Sequence, residues 1–396
     1  MLRVSTIVSG GKLTVTQPPF ALGVLLFCAA CGRSDLLHNA SGGQGSAGGH
    51  AGAAGVAGSL QTSLPVATGG RMGSESGIGS GGDGGTGGRI TTSPSTGTDG
   101  VVHQIIEFSI PTPDSSPGRI AVGADGNLWF TEYWANKISR ITPGGEITEF
   151  PMPDTSYHCW PIGIAAGPDG NLWFTEECWG SIGRITTGGI YTGYWGGLDT
   201  SARGIVAGPD GSLWFTNWLD DTLGRISTKG AIALFPIPTS NNILAEITLG
   251  PDGDLWFTED LGNRIGRSTT QGAMVEYPIP TAGSRPGGIA AGPDGNVWFI
   301  EFLGDKIGRI TPDGIITEFE IPTADAYPGG IAAGPDGNLW FTEGGGNNIG
   351  RISTGGIVTE FPLPVPDSGP FAIVAGPDGN LWFTEGKVNQ IGRITP

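Results

Sequence analysis

The sequence predicts an all-β fold: a seven-bladed β-propeller of four-stranded blades in residues 101–396, its last blade closed by an N-terminal strand. Three observations lead there. The motif Leu-Trp-Phe-Thr or a close variant recurs with Trp at 129, 173, 214, 256, 298, 340 and 382, at spacings of 41 to 44 residues. Each unit holds four short β-rich segments, such as GGIAAG, NLWFTE, NIGRIS and IVTEFPLP, separated by Pro-Asp-Gly and Thr-Gly-Gly turn signals. The last unit stops after its third segment at IGRITP, and residues 105–111, IIEFSIP, match the fourth segment it lacks. An N-terminal strand in that place would remove the exposed sheet edges.

Residues 1–31 come first. Arg3 and Lys12 precede the apolar run FALGVLLFCAA, which is too short to span a bilayer. Basic, then apolar, then small residues is the order of a secretory signal. Its end, Ala29-Ala30-Cys31-Gly32, resembles a bacterial lipoprotein signal, which implies lipidation of Cys31. Residues 32–100 are rich in Gly, Ser, Thr and Ala and poor in large apolar groups, so they are expected to form a disordered tether. Such a coil spans roughly 45 Å root-mean-square. The expected location is the cell envelope, lipid-anchored or secreted. The expected state is a monomer that touches a membrane only through its N-terminal lipid.

Composition narrows the function. With 73 Gly and no G-X-Y period the chain is not collagen-like. A net charge of −17 argues against a nucleic-acid partner, which would need Lys and Arg on its phosphates. Four Cys are too few for a disulfide scaffold.

Within the repeat, residues present in every blade read as scaffold. The seven Trp pack between blades, the Asp of each turn caps a tight bend, and the third-strand Arg (Arg140, Arg184, Arg225, Arg267, Arg309, Arg351, Arg393) recur throughout. The face carrying the Pro-Asp-Gly turns is monotonous. The opposite face, formed by the loops between strands two and three and between blades, varies and is where a site belongs. Trp134, Trp160, Trp179, Trp195 and Trp218 lie outside the repeat, all in blades 1 to 3 or their connections. Trp134, Trp160, Trp179 and Trp218 suggest an off-centre aromatic wall for a small apolar or cyclic ligand. Arg203 could hold a ligand carboxylate. Cys159 and Cys178 oppose each other in the register of the blade 2 hairpin, which predicts a disulfide in an exported protein. The second strand ends in Glu132, Glu176, Glu259, Glu301, Glu343 and Glu385, with Asn217 in blade 3. These carboxylates are expected to converge at one end of the channel, where oxygen ligands would suit Mg²⁺ or Ca²⁺.

The repeat GIAAGPDGNLWFTE followed by IGRITP-x-G-x-ITEFPIPT resembles the streptogramin B lyases, the virginiamycin B lyase family, over residues 101–396. The resemblance implies a propeller that opens a cyclic depsipeptide by elimination, with a His base and Mg²⁺ steadying the developing charge. It also implies that the reacting residues sit in the last two blades, where Glu385 and Glu343 become the candidate metal ligands. In that family the His opens a first strand as Pro-His-Gly-Ile. Here the place holds Gly118, Ile162, Arg203, Ala245, Gly287, Gly329 and Phe371, and the family's Glu two residues earlier is Ser116, Trp160, Ser201, Ile243, Arg285, Tyr327 or Gly369. His103 and His158 are the imidazoles of the repeat domain, and His158, four residues before the expected place, is the weak candidate base. Three readings stay open: a ligand-binding or scaffold propeller, a divergent lyase, and a sugar lactone hydrolase, which the repeat pattern favours less.

Overall fold

The computed structural model describes residues 90–98, 100–153, 159–177, 180–195, 201–218 and 220–396. The signal, Cys31, and the tether as far as residue 89 lie outside these residues. All described residues belong to one unit that includes Gly87–Pro396.

The described chain is all β. It forms six four-stranded antiparallel sheets and one of five strands. Blades 1 to 6 each run in sequence order, from Pro117–Val122 as the first strand of blade 1 to Val358–Pro362 as the fourth of blade 6. The first strands neighbour one another around the molecule. That of blade 7, Pro370–Ala375, lies against that of blade 1, so the seven blades make a propeller.

Blade 7 takes chain from both ends. Gln390–Ile394 pairs antiparallel with Val102–Ser109, with Ile394 opposite Ile105 and Gln390 opposite Ser109. A fifth strand, Ile90–Thr96, pairs in turn with Val102–Ser109. This corrects the expected tether, which ran to residue 100. The segment ITTSPST alternates inward and outward positions and has a hairpin partner, which outweighs its polar composition. Pro94 is tolerated because the strand is an edge. The strand also reaches blade 6: Ser95 Oγ donates to Pro362 O at 2.8 Å, and Thr98 N–H donates to Glu360 O at 3.1 Å.

The invariant residues form a staple set. Each repeat Trp is fully buried, and its indole N–H donates to the Asp of the preceding turn at 2.9–3.2 Å. The same Asp accepts the N–H two residues on, so one carboxylate holds both bend and ring. The third-strand Arg lies over the Trp, 5.2–5.7 Å from its centroid. From there several Arg reach the turn of the next blade: Arg267 donates to Pro312 O, Arg309 to Thr354 O and Arg393 to Pro143 O at 2.8–3.0 Å. The last of these crosses from blade 7 to blade 1. Six blades carry a Gly in the third strand opposite the second-strand Phe, where a Cβ at Gly224 would fall 2.0 Å from the Phe215 ring; blade 1 has Ser139 opposite Phe130.

The innermost staple bears on the site. Every first strand carries a bulge, two residues opposite one, near its start. In six blades the Thr of the second strand fills it. Its hydroxyl accepts the N–H of the second bulge residue and donates to a carbonyl of the next blade: Thr131 to Ile162 O, and so on to Thr384, which donates to Gly118 O. Blade 5 has Ile300 instead.

Candidate functional site at the channel mouth

The bulge places Gly118, Ile162, Arg203, Ala245, Gly287, Gly329 and Phe371 around the channel. The residues two positions earlier are pinned uniformly. The carbonyls of Ser116, Ser201, Ile243, Arg285, Tyr327 and Gly369 each accept the first N–H of their blade's strand two-to-three loop. In five blades this residue is left-handed: φ is +55° at Ser116, +53° at Ile243, +56° at Arg285, +43° at Tyr327 and +63° at Gly369. For Ile, Arg and Tyr that conformation costs of order 1–3 kcal/mol, and such strain clusters at binding sites.

Charge crosses the mouth in pairs. Arg119 of blade 1 is ion-paired with Glu246 of blade 4, and its guanidinium lies 4.5 Å from the Phe371 centroid. Arg285 is ion-paired with Asp260, which is 3% exposed. Burial pushes the Asp260 carboxyl up to about 6, against the pull of Arg285 and Arg203. Arg203 lies 4.0 Å over Trp218 and feels the charges of Glu177 and Glu246. The protein's own carboxylates therefore face the cation expected to hold a ligand carboxylate.

The expected aromatic wall is only partly assembled. Trp134 and Trp160 meet at 5.5 Å with Tyr133 between them, and Trp134 is half exposed. Trp218 is 6% exposed beneath Arg203, so it offers no face to a ligand. Trp195 ends the fourth strand of blade 2 at the outer rim. Trp179, Cys178 and His158 lie outside the described residues. Pro161 opposes Glu176, and Cys159 is disulfide-bonded.

The cleft lies on the other side of the mouth. A concavity opens over blades 4 to 7, with Asp260, Arg285, Phe302, Tyr327 and Phe371 around a floor of Gly287, Gly288 and Gly329 and Arg119 of blade 1 at its side. Phe302 and Tyr327 meet at 5.4 Å, and Tyr327 is 40% exposed. Sequence reasoning missed this cleft because the Trp residues outside the repeat all lie in blades 1 to 3 or their connections. The available signal was Phe302, where blades 6 and 7 have Gly344 and Gly386.

The glutamate ring does not converge on the channel. All six side chains are 0–1% exposed and turn along their own blades. Glu132 meets Ser139, Glu176 accepts from Ser181 and Tyr191, and Glu343 accepts from Asn348 at 2.8 Å. Glu385 faces Glu107 of the closing strand. These partners, Ser139, Tyr191 and Asn348 among them, belong to strands three and four of the same blades and draw the carboxylates away from the channel. Burial pushes Glu259, Glu301, Glu343 and Glu385 up to about 8. Among the described residues no three His, Cys, Asp or Glu come together as a metal would require. Mg²⁺ therefore does not fit the donors at Glu343 and Glu385. His103 is buried in the strand that Ile90–Thr96 covers, its Nδ1 2.7 Å from Thr395 O and its ring against Phe361.

A seven-bladed propeller with its variable residues gathered at one mouth of the channel defines the class of protein. The model of the virginiamycin B lyase family matches residues 74–203 and 159–396, and the chain belongs to that family. The virginiamycin B lyase of Staphylococcus aureus is 40% identical, with a TM-score of 0.70 over 74% of this chain and 99% of that one. A streptogramin B lyase structure is 39% identical, with a TM-score of 0.68. The virginiamycin B lyase of Bordetella pertussis aligns at 40% identity over 50 residues, 13% of this chain and 17% of that protein. The chain thus aligns with about a sixth of the length of such curated relatives.

Proposed function

We propose that this protein is a ligand-binding propeller built on the streptogramin lyase scaffold, without the imidazole-driven elimination the family name implies. One observation carries the reading: no His stands at any of the seven first-strand places, and Gly329 and Phe371 fill them in the last two blades. His103, the imidazole among the described residues, is buried beneath the edge strand Ile90–Thr96, with its ring against Phe361 of blade 6. The cleft supports binding, because it combines apolar walls with a few fixed polar groups. Its test is incubation with a streptogramin B antibiotic, followed by chromatography and mass spectrometry with and without EDTA. Elimination would give a linear isomer of unchanged mass, and hydrolysis would add one water. An unaltered cyclic compound is expected; conversion to the linear isomer would overturn the reading.

A second reading rests on Asp260. Its carboxyl, raised to about 6 inside the cleft beside Arg285, is poised to take a proton near neutrality. A divergent lyase using that carboxylate would show turnover that vanishes in Asp260→Asn. The N-terminal segment completes the proposal: a lipid on Cys31 and a Gly-rich tether would hold the propeller at the cell envelope. Radiolabelled palmitate should then enter the wild-type chain and not Cys31→Ser.

A further inference from the structure

The seam between blades 5 and 6 differs from the other six in one side chain. Elsewhere a threonine hydroxyl sits in the bulge, accepting one backbone N–H and donating to one carbonyl of the next blade. Ile300 takes that place in blade 5, so Gly288 N–H and Gly329 C=O have no hydroxyl between them. The isoleucine does not fill the hydroxyl's position. A Cβ built at Gly118 or Gly329 would lie 2.7 or 3.1 Å from the Thr131 or Thr342 hydroxyl. At the equivalent Gly287 it would meet only Gly329 O, at 4.0 Å. Gly287, Gly288 and Gly329 all line the cleft.

We propose that this seam is a sugar-binding subsite, in which one hydroxyl of a neutral pyranose takes the missing threonine hydroxyl's place between Gly288 N–H and Gly329 C=O. The inference rests on the ligand-binding reading of the cleft. A hydroxyl is the group that donates and accepts through one oxygen, as the six threonines do. The rest of the cleft suits the rest of a sugar. Phe302 and Tyr327 form an aromatic surface for its C–H face, and left-handed backbone at Tyr327 holds that ring at the mouth. The charges favour a neutral ligand, since Arg285 is paired with Asp260 and Arg119 with Glu246. An anion would have to displace one of these carboxylates.

Ile300→Thr is the test, because it installs the hydroxyl used by the other blades and so preserves the fold. The methyl glycosides of glucose, galactose and mannose, and the capped amino acid N-acetylphenylalaninamide, are titrated into the full chain by ligand-observed NMR. At least one glycoside is expected to bind, with affinity at least tenfold lower in Ile300→Thr and a melting temperature no lower than wild type. Tyr327→Ala should weaken the same glycoside. Glycoside binding unchanged by Ile300→Thr would overturn the subsite. If N-acetylphenylalaninamide binds and no glycoside does, the sugar assignment falls while the cleft remains a binding site. If none of the four binds, both fall.

Discussion

Replacing Glu385 with Gln should stabilise the propeller in mild alkali and leave it nearly unchanged in mild acid. Glu385 is 0% exposed, and burial, followed by the charge of Glu107, raises its carboxyl from the ordinary 4.5 to about 8. The folded chain therefore keeps this proton up to about pH 8, whereas the unfolded chain releases it above 4.5. The unfolded state binds fewer protons across that window, so stability falls as pH rises from 4.5 to 8 and is flat beyond. At about 1.4 kcal/mol per pH unit, the full loss approaches 5 kcal/mol, an upper bound because relaxation and water entry soften buried charge. Gln has the shape of the protonated acid and does not titrate, so Glu385→Gln escapes the loss. Thermal unfolding of wild type and variant at pH 5 and pH 8.5 measures it. We expect melting temperatures within a few degrees at pH 5, and the variant higher by roughly 5–10 °C at pH 8.5. A variant no more stable than wild type at pH 8.5 would refute a proton-holding carboxyl at this position.

Other outcomes follow from the same geometry. Arg285→Ala leaves Asp260 buried without its partner and should cost about 3 kcal/mol near neutral pH, read by urea unfolding, with the deficit shrinking as pH falls toward 6, where the wild-type carboxyl is neutralised as well. Trp218→Ala, at 6% exposure, should lose about 3–5 kcal/mol, whereas half-exposed Trp134→Ala should lose under about 1 kcal/mol in the same assay. Thr175→Val removes both the bond from Gly163 N–H and the bond to Arg203 O, and should cost about 1–3 kcal/mol in thermal unfolding. Removing residues 1–97 takes away the strand Ile90–Thr96 and its bond to Pro362 O; hydrogen exchange should then rise in Val358–Pro362 and not in blades 2 to 4.

The repeat made the scaffold readable, because a residue that must pack, cap or staple in one blade must do so in all. The roles of Trp129, Asp125 and Gly126 were open to inspection for that reason. The strand Ile90–Thr96 was not, since a polar edge strand becomes ordered only through its partner. The site was legible in part. The lack of His at the first-strand places could be read directly, but the aromatic positions of blades 1 to 3 drew attention away from the cleft. Trp218 shows why: a sequence does not say whether an aromatic side chain faces outward or lies under an arginine. The glutamates show it again, since the spacing that aligns them does not tell whether they turn to the channel or along the blade.

The sequence alone determined the number of blades, the four-strand unit and the positions that every blade shares, because periodic packing demands periodic residues. Tertiary structure alone decided which charges pair across the mouth and which side of the ring opens into a cleft. Arg119 and Glu246 are 127 positions apart, and only the curvature of the ring brings them together.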